Sequence, residues 1–171
     1  NYNNNNLQTG CVRVYENNNG SWIQLGQNIV GDTSIYGNDS GQSVSLSADG
    51  NTVAISAPLN DIDSMCIQNI NTAPGCHSTG HVRIYNYNGS SWNQLGQDIE
   101  GVVAYDYHGW AVSLSGDGQI VAIGSPYGTS SDSGYVKVYN YDGSSWNQLG
   151  QTIYGEGALD YSGQELSLSR D

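Results

Sequence analysis

The sequence predicts an all-β chain of β-propeller-like blades, each made of four antiparallel strands. Under three repeats are present: one partial, two complete, one partial. Three observations predict this. The stretch GSSWNQLGQ at 89–97 returns letter for letter at 143–151, and a near copy, GSWIQLGQ, stands at 20–27. Around these copies polar and apolar residues alternate with period two, punctuated by Asp-Gly or Asn-Gly pairs. No segment sustains a 3.6-residue apolar period, so essentially no helix is expected.

The repeat sets the order of the elements. Aligned on Gly10, Gly80 and Gly134, the following Trp falls twelve residues later each time, at Trp22, Trp92 and Trp146. The other half recurs as GQSVSLSADGNTVAISAP (41–58) and GWAVSLSGDGQIVAIGSP (109–126), and starts again as GQELSLSRD (163–171). The Trp spacing is 70 residues, then 54; 14 extra residues between Pro58 and Gly80 and two between Gly31 and Gly41 account for the difference. The organisation is thus an Asn-rich start at 1–9 and the back half of a first repeat at 10–40. A second repeat spans 41–108 with an insertion at 59–79, a third spans 109–162, and a fourth begins at 163–171.

Each strand of a complete unit has its own reason. Ser43-Val44-Ser45-Leu46-Ser47 alternates as a half-buried strand does, Asp49-Gly50 turns the chain, and Thr52-Val53-Ala54-Ile55 returns. Val82-Arg83-Ile84-Tyr85 is the third strand, Asn88-Gly89 turns again, and Trp92 to Ile99 forms the fourth. In that last strand Trp92 and Leu95 lie three apart, which breaks the alternation. Gly96 beside them predicts a bulge that resets the face. One Trp at a fixed place per unit makes Trp22, Trp92 and Trp146 the expected packing anchors between blades. Each would remove roughly 150–250 Å² from water. An incomplete blade exposes strand edges, so self-association or continuation in a longer chain is expected.

Two short motifs recur at matching places: Ser40-Gly41, His108-Gly109 and Ser162-Gly163, then Ser56-Ala57-Pro58 and Gly124-Ser125-Pro126. In this the units resemble FG-GAP repeats, the blade type of the integrin α-subunit propeller, with Ser or His where the family has Phe. The resemblance implies a propeller, an extracellular or cell-surface setting and a role in adhesion or binding. Calcium-binding members carry several Asp or Asn residues in the first hairpin, whereas Asp49 and Asp117 stand alone in theirs. One carboxylate is a turn signal, far short of the six to eight oxygens that calcium takes. The remaining calcium candidates are Asp106 and Asp160, three residues before a repeat Gly, and the loop residues Asn60, Asp61 and Asp63. No other cofactor is expected.

Composition narrows the function classes. Sixteen acidic against 4 basic residues, a net charge of −12, argue against nucleic acid and against docking on anionic lipid. No apolar stretch approaches the length of a membrane-spanning helix. The chain does not open with Met and shows no charged-then-apolar leader, so any signal peptide is expected to have been removed. Cys66 and Cys76 lie ten apart in a polar loop, where a disulfide would close a small ring worth about 2.5–3 kcal/mol. Cys11 is left over, a small buried strand residue or an intermolecular partner.

Asn19, Asn38 and Asn88 head N-x-S sequons, which makes them glycosylation candidates. Cys76, His77 and His81 stand close in sequence, but the C-x9-C spacing is wrong for structural zinc. No nucleophile elbow, phosphate loop or paired-carboxylate motif is found, and nearly every feature is repeated, so no enzyme is expected. Trp110 lies outside the repeated set; with Tyr105, Tyr107 and His108 beside it, it is the candidate ligand contact. The leading expectation is an extracellular structural or adhesive protein whose subunits share strands in a filament or surface appendage. The rival is a lectin-like module that binds a glycan or a surface protein, with a calcium-dependent adhesion domain behind it.

Overall fold

The structure, a computed structural model, describes residues 9–32, 39–60 and 78–169. Among the described residues all regular structure is strand, and no helix is long and apolar enough to cross a membrane. The back half of the first unit gives β1 (Cys11–Asn18) and β2 (Ser21–Val30). The second unit gives β3 (Val44–Leu46), β4 (Thr52–Ala57), β5 (His81–Tyr87), β6 (Trp92–Gln94) and β7 (Ile99–Glu100). The third gives β8 (Ala111–Leu114), β9 (Ile120–Ser125), β10 (Tyr135–Tyr141), β11 (Trp146–Gln148) and β12 (Ile153–Tyr154). β1 pairs with β2 alone. The second sheet runs β3-β4-β5-β6 with β7 also on β5, and the third repeats this order as β8-β9-β10-β11 with β12 on β10.

The single-Asp hairpins turn as their sequence predicts. Ser47 Oγ donates to Asp49 Oδ1 at 2.6 Å, the Asn51 amide donates to the same oxygen at 3.0 Å, and the Thr52 amide returns to Ser47 Oγ. Ser115, Asp117, Gln119 and Ile120 repeat the pattern. Each carboxylate is occupied in holding its turn.

The fourth strand is one run interrupted by a bulge. Tyr85 faces Gln94 but Val82 faces Ile99, so the outer run carries two more residues than β5 over this stretch. β10 meets β11 and β12 with the same offset, and β1 meets β2 with it too. The extra residues centre on Gly26, Gly96 and Gly150, at φ of +66, +74 and +72°, a left-handed conformation that glycine enters without steric cost.

The sheets stack face to face. Val14 and Ile29 of the first pack on Val53, Ile55 and Trp92 of the second. Ala54, Val82, Ile84 and Ile99 on the opposite face pack on Val112, Leu114, Val121, Ile123 and Trp146 of the third. All of β4 is therefore buried, although its hairpin partner alternates. The second and third sheets also meet at their edge strands β3 and β8: the Val112 and Leu114 amides donate to Ser43 Oγ and Ser45 Oγ, at 3.1 and 2.9 Å. Segment 163–169 takes the next such place, with the Leu168 amide on Ser113 Oγ.

Two expectations are corrected. Val44 and Leu46 are exposed, while their counterparts Val112 and Leu114 are buried under the second sheet. Trp92 and Trp146 are each 3% exposed, whereas Trp22, expected to be a third anchor, is 68% exposed. The physical reason is shared. Val112, Leu114, Trp92 and Trp146 are covered by the sheet that precedes them, and no described residue forms a sheet before β1–β2.

Candidate functional site

The anchors show how the repeated sentence works. Trp92 Nε1 donates to the Leu25 carbonyl at 2.9 Å, and Trp146 Nε1 donates to the Leu95 carbonyl at 2.8 Å. Gln27 grips the backbone of Trp92 at both ends of its amide: Nε2 donates to the carbonyl at 2.7 Å, and Oε1 accepts from the N–H at 3.0 Å. Gln97 does the same to Trp146. The glutamine amide thus replaces a neighbouring strand's peptide group. A Cβ on Gly26 or Gly96 would lie 2.9 Å from the indole Cδ1 of Trp92 or Trp146, so the bulge needs glycine for space as well as for φ. Leu-Gly-Gln of one sheet is a socket, and the Trp of the next is the knob. Arg83 adds an ion pair at the first joint only, reaching Asp32 at 2.7 Å and Asp98 at 2.7 Å. Its guanidinium is partly buried, but the hydrogen bonds it donates to both carboxylates outweigh that and hold its charge firmly.

A second cluster gathers around the loop between β7 and β8. Tyr105 and Tyr107 take φ of +64 and +51°, and Leu159 and Tyr161 repeat this at +65 and +51°. Such conformations cost on the order of 1–3 kcal/mol in bulky residues. Their recurrence assigns the bend to the repeat. It brings Tyr107 to Trp110 and Tyr127, with ring centroids 6.1 and 5.3 Å away, and Tyr127 reaches Trp110 at 5.7 Å and Tyr161 at 5.5 Å. All these contacts are edge-on.

Tyr127 also lines an adjoining cavity of about 490 Å³, whose walls include Val102, Val103, Asp106, Tyr135, Lys137 and Tyr154. Asp106 is buried and accepts a 2.6 Å hydrogen bond from the Tyr135 hydroxyl. Burial pushes the Asp106 carboxyl up, against the pull of Tyr135 and Lys137. Burial and then the Asp106 bond push the Tyr135 phenol up, so it stays protonated and donates. Lys137 stands 5.1 Å over the Tyr135 ring. The groove offers aromatic edges, a carboxylate–phenol pair and one ammonium, groups that suit a neutral polyhydroxylated ring.

The four residues expected to contact a ligand separate. Trp110 and Tyr107 belong to the aromatic cluster, and Tyr105 is exposed on the same loop. His108 is corrected: it is fully buried, with Nδ1 2.8 Å from Ser125 Oγ and Nε2 lacking a hydrogen-bond partner. Burial holds its imidazole neutral, with a pKa lowered to about 3. A side chain larger than serine fills space here, and it meets no solvent.

Of the calcium candidates, Asp106 is committed to Tyr135, and Asp160 Oδ2 accepts the Gly157 amide at 2.6 Å as a loop cap. Asn60 is buried, with its carbonyl accepting the Gly80 amide. No group of three or more His, Cys, Asp or Glu is placed to hold a metal ion among the described residues. Asp61, Asp63, His77, Asn38 and the proposed Cys66–Cys76 bridge lie outside the described residues. His81 is buried in β5, between Ala57 and Glu100, and burial lowers its pKa to about 4. Cys11, read as a small buried strand residue or an intermolecular partner, is a half-buried free thiol in β1. The other two sequon asparagines sit on exposed turns. Asn19 has φ +51°, and Asn88 accepts the Ser90 and Ser91 amides through Oδ1.

Sequence reasoning missed Tyr127, Tyr135 and Lys137, because only folding brings residues 126–137 against the 101–109 loop. It also missed the grip of Gln27 and Gln97, though a signal was present: the Gln after Leu-Gly is kept in all three copies. The chain matches no protein-family model, and no curated protein matches it.

Proposed function

We propose that this chain is a non-enzymatic structural or adhesive protein of the cell surface or extracellular space, built of FG-GAP-like blades as part of a propeller. One observation carries the reading. The residues kept from unit to unit are spent on joining sheets or turning hairpins: Trp92 and Trp146, their Leu-Gly-Gln sockets, and the Ser-x-Asp-Gly turns. A repeat selected for packing rather than for one chemical centre is a building material. Edge strands that meet from sheet to sheet, joined through Ser43, Ser45 and Ser113, support arrangement around a common axis. Calcium is not required by this reading. Immunogold labelling of the source cells tests it: label on the surface or on appendages is expected, and label confined to the cell interior removes it.

A second reading, a lectin-like module, is favoured by one arrangement, the Trp110–Tyr127 cluster beside the cavity holding Asp106 and Tyr135. Glycan-array binding that falls at least tenfold in Trp110→Ala supports it; an array without binders removes it.

A further inference from the structure

Among the described residues, the first and third sheets carry unmatched halves of the joint that holds the stack together. At one end Trp22 stands at the register position of Trp92 and Trp146, yet is 68% exposed. At the other, Leu149-Gly150-Gln151 repeats the socket formed by Leu25-Gly26-Gln27 and Leu95-Gly96-Gln97. Its bulge is already formed, with the Leu149 amide on the Val138 carbonyl at 2.7 Å, as the Leu95 amide sits on that of Ile84 at 2.8 Å. Gly150 has φ +72°, matching its two counterparts, but a Cβ there would meet nothing within 4 Å. Where Leu95 and Ile99 are covered, Leu149 is 50% and Ile153 56% exposed.

We propose that Trp22 of a second copy of this chain seats in the Leu149-Gly150-Gln151 socket, joining copies head to tail. The internal joints supply the evidence for this occupant. The same knob meets the same socket twice within the chain, with equivalent hydrogen bonds, so the end-to-end contact continues an interface already built. Charge fits as well. Arg13 holds the place of Arg83 and Glu156 that of Asp32, so the pair that bridges the first joint has an oppositely charged counterpart across the new one. Arg13 already donates Nε to Asn28, as Arg83 donates Nε to Asp98. Segment 163–169 lies where the first edge strand of a following sheet belongs, next to the incoming β1–β2. The contact is heterologous, so it propagates into a filament or closes into a ring according to the rotation per copy.

This rests on the reading as a structural protein and names how its subunits meet. Sedimentation velocity on the full chain over a wide concentration range tests it, with Trp22→Ala and Gln151→Ala as variants. Both side chains are exposed, so in dilute solution, where copies stay apart, thermal midpoints should match the wild type. The wild type should grow with concentration, and either variant alone should associate roughly 30-fold more weakly or worse. An equimolar mixture of the two should form dimers and stop, because it contains one good knob and one good socket. Variants that assemble like the wild type overturn the joint but leave the structural reading standing. A wild type that stays single, or a mixture that does not pair, also overturns the joint, while the structural reading fails separately on the location of the protein.

Discussion

At the residue scale, three copies of one tryptophan sit in two environments, which separates motif from function. Trp146→Ala should cost about 3–5 kcal/mol in denaturant unfolding, the usual range for emptying an aromatic core site. Trp22→Ala should fall within about 0.5 kcal/mol of the wild type. Equal costs for the two would contradict the joint. Gln97→Ala, which strips both hydrogen bonds from the Trp146 backbone, should cost about 1–3 kcal/mol, and Gln151→Ala almost nothing. The buried histidines set the pH dependence. His108 and His81 have folded pKa values lowered to about 3 and about 4, against 6.5 for the free side chain. Below pH 6.5 the unfolded chain binds protons that the folded chain refuses, so stability is full above 6.5 and declines as the pH falls toward those values. Each should contribute a loss on the order of 2 kcal/mol between pH 6.5 and 5. His108→Ser, which restores the residue of the other two copies, should remove its share of that slope. Unfolding curves at pH 7 and 5 would show it, and an unchanged slope would contradict the buried, neutral assignment.

At the element scale, much was legible because turn chemistry and period-two patterning act locally. The hairpins at Asp49-Gly50 and Asp117-Gly118, the four-strand order and the bulge at Gly96 could all be read from residue type and spacing. The burial of particular faces could not. Val44 and Val112 each open the same run, Val-Ser-Leu-Ser, yet one is exposed and the other is buried under a preceding sheet. The aromatic cluster was half legible for the same reason: Trp110 stood out as unrepeated, while Tyr127 and Tyr161 reach it only through the fold. His108 was misplaced because a histidine beside aromatics reads as a ligand group, whereas here it plugs the space behind Ser125. Glycine at the bulge gives a further test. Gly150→Ala meets only the left-handed backbone penalty of about 1–2 kcal/mol. Gly96→Ala meets that and the Trp146 ring as well, so it should be the more destabilising by at least about 1 kcal/mol. Equal costs would mean that the ring does not sit against the bulge.

At the scale of the whole molecule, sheets joined only to their neighbours behave as a one-dimensional stack. Stability is then the sum of unit terms and joint terms. A two-stranded sheet such as β1–β2 is marginal in water by itself, so it owes its order to the Trp92 joint and the Arg83–Asp32 pair. In the proposed head-to-tail joint, the same logic would extend the stack through further copies. The measurement closest to this central claim is hydrogen exchange at the tryptophan indole N–H groups, followed by NMR in dilute solution. Trp92 and Trp146, which donate to the Leu25 and Leu95 carbonyls, should exchange slowly, with Trp22 fast and becoming protected as concentration rises. Exchange at Trp92 or Trp146 as fast as at Trp22 in the dilute sample would contradict the knob-and-socket joint.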